Sequence, residues 1–572
     1  MQRVVIALSL IFALWLYGGR VVHPASHAWL MQGDPAQHFL GAVFFLAEPW
    51  HWPPGLITRF GDVPTSVVFT DSIPLLALPA KLLGWPAHWQ YLGLWMVACH
   101  VLSGVFALRL MLRLGPAVCN RAALVAAALF FVVAPVLLLR AYGHEALMGQ
   151  FLVLAALERA LAPWRFVPWL LLVAVAVRVH PYLALMCAVI GLGAAIAALR
   201  TREARLPQLA GQGAIACIML GALAWIAGYF AGSGQVAAAG HGFFSANAIT
   251  WFDPMNWHAF TQTHQRAVPY DAEWSRRWPP LAQATGGQYE GFAFLGLGML
   301  ALLVIAVAIA IAAVVTDADA GRKSATTGDP VAADLANDAR AARVRLHTLW
   351  GVALLLALWA WSLRPSIGDH VLADLPAPAL LEPLLGTFRA SGRFIWPLTY
   401  LVMAWALMRV LQWRARLGAA LVIVALAVQV SDLRPKLQEL RTRFRIGPPG
   451  IEQPVGLPAW QALFKRCPRL EILSEALPPP GWIGPSLAAA LSDARIEPAP
   501  TARRSAQADA QRLDDVRRLI ATHSWRADTV YLLAQPLPGA SADAILAALP
   551  PSHEGKTMDG RTLVVPRACS SN

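Results

Sequence analysis

An aspartate stands just after the first apolar segment of the chain, in Gln32-Gly33-Asp34-Pro35-Ala36-Gln37-His38. A carboxylate at the boundary between water and lipid could take a proton from the head group of a lipid substrate. Asp34 directly before a proline is also a good helix N-cap, and the two roles are compatible. We expect residues 36–46 to form a short amphipathic helix in the membrane interface.

A second acid, Asp71, stands in Phe69-Thr70-Asp71-Ser72-Ile73-Pro74 at the start of an apolar stretch. A carboxylate there is costly unless it has a partner or caps a helix. Asp34, His38 and Asp71 could converge as a general-base cluster, or they could hold a divalent cation. No ligand spacing here is diagnostic of a metal, so the sequence assigns no metal ligand.

Further ionisable residues lie near the outer ends of apolar segments. Placing a charged group there costs free energy, so such residues indicate a functional site. The alternatives are snorkelling to the interface for Arg178 and helix capping for Glu290. We predict that these residues, together with His38, contact the substrate: Arg140, His144, Glu145, Arg178, His180, Glu290, Arg389 and Arg393.

Two of these arginines stand four residues apart, in Phe388-Arg389-Ala390-Ser391-Gly392-Arg393-Phe394. On a helix, residues with this spacing share a face. Two guanidiniums on one face suit a phosphate or a pyrophosphate. The alternative is ordinary contact with lipid head groups.

The composition indicates the elements that position these residues. The chain of 572 residues is 57% hydrophobic and only 14% charged, whereas soluble proteins carry about 25% charged residues. We therefore predict a polytopic α-helical membrane protein with about eleven transmembrane helices. The predicted spans lie near 3–22, 88–112, 119–139, 146–162, 166–181, 183–199, 208–231, 291–315, 346–363, 394–411 and 416–431.

The chain has a net charge of +13. Much of the excess positive charge lies in short loops between predicted spans, as the positive-inside rule describes. This pattern argues against nucleic acid as a partner. It places the N-terminus in the cytoplasm and the long loops 23–87, 232–290 and 364–393 outside. Many of the 23 tryptophans lie near predicted membrane boundaries, as interfacial aromatic belts do.

The composition changes near residue 431, which divides the chain into a membrane core, 1–431, and a C-terminal domain, 432–572. Helical patterns alternate there with short apolar runs, so we predict a small α/β domain on the periplasmic side. Cys467 and Cys569 could form a disulfide in an oxidising periplasm, or could remain two thiols. No P-loop, HExxH motif or nucleophile elbow is present, so nothing supports a nucleotide-driven mechanism.

The first-loop acid, the many spans and the C-terminal outside domain resemble class C (GT-C fold) membrane glycosyltransferases. The three stretches that begin at Gly33, Phe69 and Arg389 also resemble an uncharacterised bacterial family of multi-pass membrane proteins. The resemblance implies a polyprenyl-phosphate-linked sugar donor, an acceptor on the periplasmic side and Asp34 as the base. The chain departs from the GT-C pattern because it lacks a paired acid at Asp34.

Our hypothesis is a glycosyltransferase of the bacterial inner membrane that acts on membrane-lipid substrates. Asp34, with Asp71 nearby, would be catalytic, and Arg389 and Arg393 would stabilise the departing lipid phosphate across one shared cavity. The alternatives are a transporter or flippase of lipid-linked glycan and a non-catalytic membrane scaffold. The sequence does not name the sugar, the acceptor, a cofactor or the oligomeric state.

Overall fold

The computed structural model describes residues 1–115, 120–141, 143–231, 240–256, 268–269, 281–320, 330–447, 452, 455–501 and 506–570. The described helices before residue 447 are, in chain order, α1 (Gln2–Val22), α2 (Gly33–Ala47), α3 (Pro74–Leu82), α4 (Leu92–Leu114), α5 (Arg121–Val132), α6 (Pro135–Arg140), α7 (Phe151–Ala160), α8 (Phe166–Val179), α9 (Pro181–Arg200), α10 (Leu206–Ala227), α11 (Leu297–Ala320), α12 (Pro330–Trp361), α13 (Glu382–Thr387), α14 (Trp396–Trp413), α15 (Ala415–Asp432) and α16 (Arg434–Ile446). Short antiparallel ribbons join β1 (Leu56–Ile57) to β2 (Thr65–Ser66), β3 (Met255–Asn256) to β4 (Val268–Pro269), and β5 (Ser366–Ile367) to β6 (His370–Val371).

Nine helices among the described residues are long and apolar enough to cross a membrane, as expected for a polytopic helical membrane protein. Every predicted span contains a helix, but two of these helices are short. The prediction for 146–162 corresponds to α7, of 10 residues, and the prediction for 166–181 corresponds to α8, of 14 residues. Pro163 and Pro181 follow these helices closely, and proline disfavours helical backbone in the residue before it. Among the residues that the structure describes, nine helices are therefore long enough to cross a membrane, rather than the predicted eleven or so.

The chain folds into two compact units, and both are discontinuous in sequence. The first unit comprises Met1–Gly18, Leu94–Leu220 and Ala238–Thr442, and the second comprises Gly19–Gly93, Gly221–Ala237 and Arg443–Asn572. The sequence pattern predicted one domain boundary, after residue 431. In the structure, the second unit also includes the first predicted outer loop. Tertiary contact between distant segments leaves no trace in local composition, which explains the difference.

Packed membrane helices form the core of the first unit. α11 packs against α14 and α15, while α9 packs against α8 and α12. Small residues permit these close approaches; for example, a Cβ at Gly298 would collide with the carbonyl of Ala425. Most residues of the segment Ser391–Trp413 are buried, and Arg393 near its start is only 8% exposed, so this arginine lies within the core of the unit.

The C-terminal part of the second unit is the predicted α/β domain. Its elements are α17 (Leu457–Phe464), β7 (Arg469–Leu473), α18 (Ile483–Ala490), β8 (Arg495–Glu497), α19 (Ala506–Thr522), β9 (Thr529–Leu533), α20 (Ala542–Ala547), β10 (His553–Met558), β11 (Arg561–Pro566) and α21 (Arg567–Ser570). One sheet has the order β10-β11-β9-β7-β8, in which β7 pairs parallel with β8 and β9. A disulfide joins Cys467 to Cys569, whose Cα atoms lie 5.9 Å apart.

The first predicted outer loop completes the edge of this sheet. The Ile496 amide donates to the Arg59 carbonyl over 3.0 Å, and the Gly61 amide donates to the Ile496 carbonyl over 3.1 Å. Phe60 thereby forms a parallel bridge with Ile496 of β8. Covering an edge strand in this way removes a row of unpaired backbone groups. The loop that carries Asp34 and Asp71 is therefore part of the same folded unit as the C-terminal domain.

Candidate functional site

Helix α2 carries two of the predicted site residues. It begins at Gly33, whose φ of 56° suits a residue without a Cβ. The N-cap position falls on Gln32, so Asp34 is not the cap and instead lies exposed in the first helical turn. A carboxylate there is stabilised by the positive end of the helix dipole. His38 follows one turn later, on the same face as Asp34.

His38 and Asp71 form a pair inside the second unit. The His38 Nε2 atom lies 3.7 Å from the Asp71 Oδ2 atom, and the histidine side chain is only 1% exposed. A carboxylate next to a buried imidazole fixes the orientation of its ring. The structure thus brings together two residues that are 33 positions apart in the sequence.

The segment 70–72 lies unusually close to α2. Gly41 faces Thr70, and a Cβ at Gly41 would collide with that side chain. The Ser72 hydroxyl donates to the His38 carbonyl over 2.8 Å. Asp71 and Ile73 both adopt left-handed backbone, with φ of 54° and 53°. Such strain in a β-branched residue is rare and concentrates at functional sites.

The C-terminal domain holds the start of α2 in place. α2 packs against α18, and the Glu452 amide donates to the Met31 carbonyl over 3.3 Å. The Glu452 carboxylate accepts a hydrogen bond from the Gly484 amide over 2.8 Å and one from Arg561 over 2.7 Å. These contacts connect the helix that carries Asp34 to the sheet of the second unit.

The first unit contains a separate charged cluster built around Glu290. Arg140 Nη1 donates to Glu290 Oε2 over 2.8 Å, and Arg140 Nη2 donates to the Glu290 carbonyl over 3.0 Å. Arg393 donates to the same carboxylate from Nε over 2.9 Å and from Nη2 over 2.6 Å. All three predicted residues are buried. Two guanidiniums on one carboxylate leave the cluster with a net positive charge.

Aromatic rings enclose this charged cluster. The Arg140 guanidinium lies 5.2 Å from the Trp396 ring centroid, and the Arg393 guanidinium lies 4.6 Å from that of Tyr182. Burial by itself raises the pKa of Glu290, but the charges of Arg393 and Arg140 outweigh it and hold that pKa well below its ordinary value. The sequence analysis missed Tyr182 and Trp396, because tryptophan and tyrosine near a membrane boundary are ordinarily interfacial anchors.

Arg389 and Arg393 do not share a helical face, so that part of the prediction is wrong. Arg389 is exposed and precedes a short 3-10 helix, Ser391–Ile395, whereas Arg393 is buried within it. Gly392 packs directly on Gly291, where a Cβ at Gly392 would lie 2.6 Å from the Gly291 Cα. This close approach brings Arg393 to Glu290. Arg389 instead stacks on Phe244, with 5.6 Å between the guanidinium and the ring centroid.

The other predicted residues of the first unit have different surroundings. His144 Nε2 lies 4.0 Å from Glu290 Oε1, at the edge of the cluster. Glu145 is buried and its carbonyl accepts a hydrogen bond from the Trp95 indole over 2.8 Å.

Two residues near the start of α9 have local roles. His180 caps this helix, since its Nδ1 accepts from the Tyr182 amide over 3.2 Å. Arg178 is half-buried and donates to the Ala174 carbonyl of its own helix over 3.3 Å. Among the described residues, no hydrogen bond or ion pair joins Arg178 to Glu290.

Asp253 is a buried acid of the first unit that the sequence analysis did not single out. Burial raises its pKa to about 7, and Gln283 donates a hydrogen bond to its carboxylate. An acid that titrates near neutral pH is suited to proton transfer. The sequence signal is weak, because Asp253 stands before Pro254 and resembles an ordinary turn.

A divalent cation could take His38 and Asp71 of the second unit as two of its ligands, because imidazole nitrogen and carboxylate oxygen are both good donors. Asp34 belongs to the second unit, while Arg389 and Arg393 belong to the first. The expectation that they face one shared cavity therefore stays a prediction.

One family model matches most of the chain. It is described as Domain of unknown function (DUF6311), and it matches residues 6–434. No curated protein matches the chain. The matched range contains every predicted site residue, from Asp34 to Arg393. Because the match covers more than half of the 572 residues, the chain belongs to the DUF6311 family.

Proposed function

We propose that this protein is a GT-C-like glycosyltransferase of the bacterial inner membrane, which moves a sugar from a polyprenyl-phosphate carrier to a periplasmic-side acceptor. The observation that carries the proposal is the His38–Asp71 pair, 3.7 Å apart, beside the helical turn that presents Asp34. An exposed carboxylate one turn from a paired imidazole is suited to proton transfer. The left-handed backbone at Asp71 and Ile73 supports the proposal, because such strain persists where function maintains it.

In the proposed reaction, the acceptor hydroxyl attacks the anomeric carbon of the sugar. Its proton passes to the Asp34 carboxylate as the new carbon–oxygen bond forms. The bond between the anomeric carbon and the phosphate oxygen breaks, and its electron pair leaves with the polyprenyl phosphate. His38 and Asp71 position this end of α2 and line the acceptor side.

The phosphate of the carrier is assigned to the first unit. Arg389 is exposed and extends from Phe244, so its guanidinium is accessible to an anion. Arg393 and Arg140 are held by Glu290 and supply a net positive field behind it. His144 lies at the edge of this cluster and could donate to a phosphate oxygen. Arg178 and His180 have the more local roles described above.

The proposed topology places the C-terminal domain in the periplasm and the N-terminus in the cytoplasm. The disulfide between Cys467 and Cys569 supports this side, because disulfides persist in oxidising compartments. The arginine-rich short loops of the sequence support it independently.

The test uses the purified full chain with undecaprenyl phosphate carrying a radiolabelled hexose and a periplasmic lipid extract as acceptor. Asp34→Asn should reduce sugar transfer by about 100-fold, which is the low end for loss of general-base catalysis. The matched control is Asp543→Asn, which alters another exposed aspartate in the first turn of a helix, α20. Equal transfer by the Asp34 and Asp543 variants would remove Asp34 from the mechanism.

The same preparation in sealed vesicles distinguishes the two alternatives. A transporter or flippase would move the labelled lipid across the bilayer without cleavage and would not depend on Asp34. A scaffold would neither move nor cleave it.

A further inference from the structure

A cavity of about 350 Å³ lies in the first unit between α11 and α14, away from the charged cluster at Glu290. It is lined by Ile309, Ala312, Ala313, Arg409, Gln412 and Trp413. Small-molecule sites typically start at about 300 Å³, so the cavity is large enough for a lipid head group. One wall is apolar and comes from α11, while the polar wall comes from the last turn of α14.

Arg409 supplies the charge of this cavity. The residue is half-buried, and its Nε atom is buried without a hydrogen-bond partner among the residues that the structure describes. Among the side chains that the structure describes, which do not include those of residues 316–336, no carboxylate lies within ion-pair distance of Arg409, unlike Arg140 and Arg393. A guanidinium inside a membrane protein is costly without a counter-ion. An anion in the cavity would remove that cost.

The surroundings of the cavity are those of a lipid-facing surface. Exposed apolar side chains of α11 flank its wall, with Ile311 at 61% and Val314 at 71% exposure. Trp413 is also exposed at the end of α14, and the Arg414 guanidinium lies 5.2 Å from its ring centroid. Tryptophan and arginine at the end of a membrane helix mark the level of the lipid head groups.

We propose that this cavity binds an anionic phospholipid, with its phosphate on Arg409 and an acyl chain along α11. A free phosphate would leave the apolar wall of Ile309, Ala312 and Ala313 unused, whereas a lipid satisfies both walls. The loop after α14 is on the predicted cytoplasmic side, where the leaflet carries the anionic lipids. The site is independent of the proposed sugar transfer.

Native mass spectrometry of the full chain in detergent tests this proposal, with phosphatidylglycerol added as the probe. Arg409→Gln should lower the affinity for phosphatidylglycerol by about tenfold, as expected for loss of a charged hydrogen bond. The matched control is Arg416→Gln. Arg416 is an exposed arginine in the first turn of α15, which follows α14 directly, and it does not line the cavity. Phosphatidylglycerol binding by this control should equal that of the parent.

A second variant tests the cavity without changing its charge. Ala313→Phe fills the space beside Arg409 and should displace the lipid while the unfolding temperature stays near that of the parent. Glycerol phosphate, which has no acyl chains, should not compete with phosphatidylglycerol. Unchanged lipid binding in either variant, or equal competition by glycerol phosphate, would overturn the proposal.

Discussion

Arg393 donates two hydrogen bonds to the carboxylate of Glu290, over 2.9 and 2.6 Å. Arg140 donates a third, over 2.8 Å, from the end of α6. Three chain segments that are far apart in sequence therefore meet at one buried carboxylate. The pairing also explains why two arginines can lie in the interior of the first unit, since each has a charged partner.

Glu290→Gln should destabilise the first unit, because it leaves two buried guanidiniums without a full counter-charge. Breaking a buried ion pair on one side costs about 3–5 kcal/mol of unfolding free energy. Thermal unfolding in detergent measures the change. Glu382→Gln is the control, since Glu382 is an exposed acid in the first turn of α13. If both variants unfolded at the same temperature, Glu290 would not stabilise the unit.

The stability that Glu290 gives the first unit depends on pH, because the pKa of Glu290 is lowered from its ordinary value of 4.5. A carboxyl group with a lowered pKa in the folded state contributes stability that is complete above its ordinary pKa. That contribution disappears as the pH falls through the lower folded-state pKa. The difference in unfolding temperature between parent and Glu290→Gln should therefore stay constant from about pH 5 to 8 and narrow below about pH 4. A difference that narrowed near pH 7 would contradict this assignment.

The C-terminal domain should show the opposite pH dependence. Glu471 of β7 stands directly beside Glu497 of β8 in the parallel register. Burial, followed by the charge of Glu497, raises the pKa of Glu471 to about 7 from 4.5. Between these pH values the folded domain holds a proton that the unfolded chain has lost. The stability of the domain should therefore fall as the pH rises from about 4.5 to 7.

Glu471→Gln removes that titration and should make the second unit more stable than the parent at pH 8, by roughly 3 kcal/mol. At pH 4 the two proteins should unfold alike. Hydrogen exchange of the β7 and β8 amides, measured at both pH values, checks the prediction. Equal protection of parent and variant at pH 8 would refute it.

The sequence predicted the membrane helices and the α/β domain because both depend on local patterns. Apolar runs near twenty residues gave the spans, and the runs that became β7, β9 and β11 were visible as short apolar segments. The two short helices α7 and α8 were overcounted as spans, because hydropathy alone does not weigh the prolines that end them.

Contacts across the chain were less predictable. Glu290 was identified as polar and near a span, but its two partners lie 150 and 103 residues away. The helical spacing of Arg389 and Arg393 suggested one shared face, whereas the contact between Gly291 and Gly392 fixes a tighter 3-10 turn. The pairing of the first loop with β8 left no periodic signal at all.

The disulfide between Cys467 and Cys569 should be the strongest single covalent support of the C-terminal domain. It closes a segment of 102 residues, and a loop of about that length gives roughly 4–5 kcal/mol of stabilisation in the chain-entropy model. Cys467→Ala with Cys569→Ala should therefore lower the unfolding temperature of the second unit. Non-reducing peptide mapping should recover the two cysteines as one cross-linked pair. Cys217 of α10 is a free cysteine and should be recovered without a cross-linked partner in the same digest, which serves as the internal control.

Gly41 should determine whether the His38–Asp71 pair forms. Gly41→Ala places a Cβ where the Thr70 side chain lies, so the segment 70–72 must move away from α2. Overpacking of this kind costs about 1–3 kcal/mol, but the larger effect should be the separation of Asp71 from His38. We expect sugar transfer to fall about as far as in Asp71→Asn while the protein remains folded.

A compensating change isolates the steric cause. Thr70→Gly removes the two closest colliding atoms and leaves the Ser72 Oγ atom, 2.8 Å from the added Cβ. The double variant Gly41→Ala with Thr70→Gly should therefore regain part of both the pair and the transfer activity. The histidine signals in NMR spectra of selectively labelled protein report the contact directly, because the chemical shifts of the His38 ring depend on the groups next to it. A Gly41→Ala protein whose His38 signals match those of the parent would show that the backbone can accommodate the methyl group. Close approach of α2 to Thr70 would then not be what brings Asp71 to the histidine.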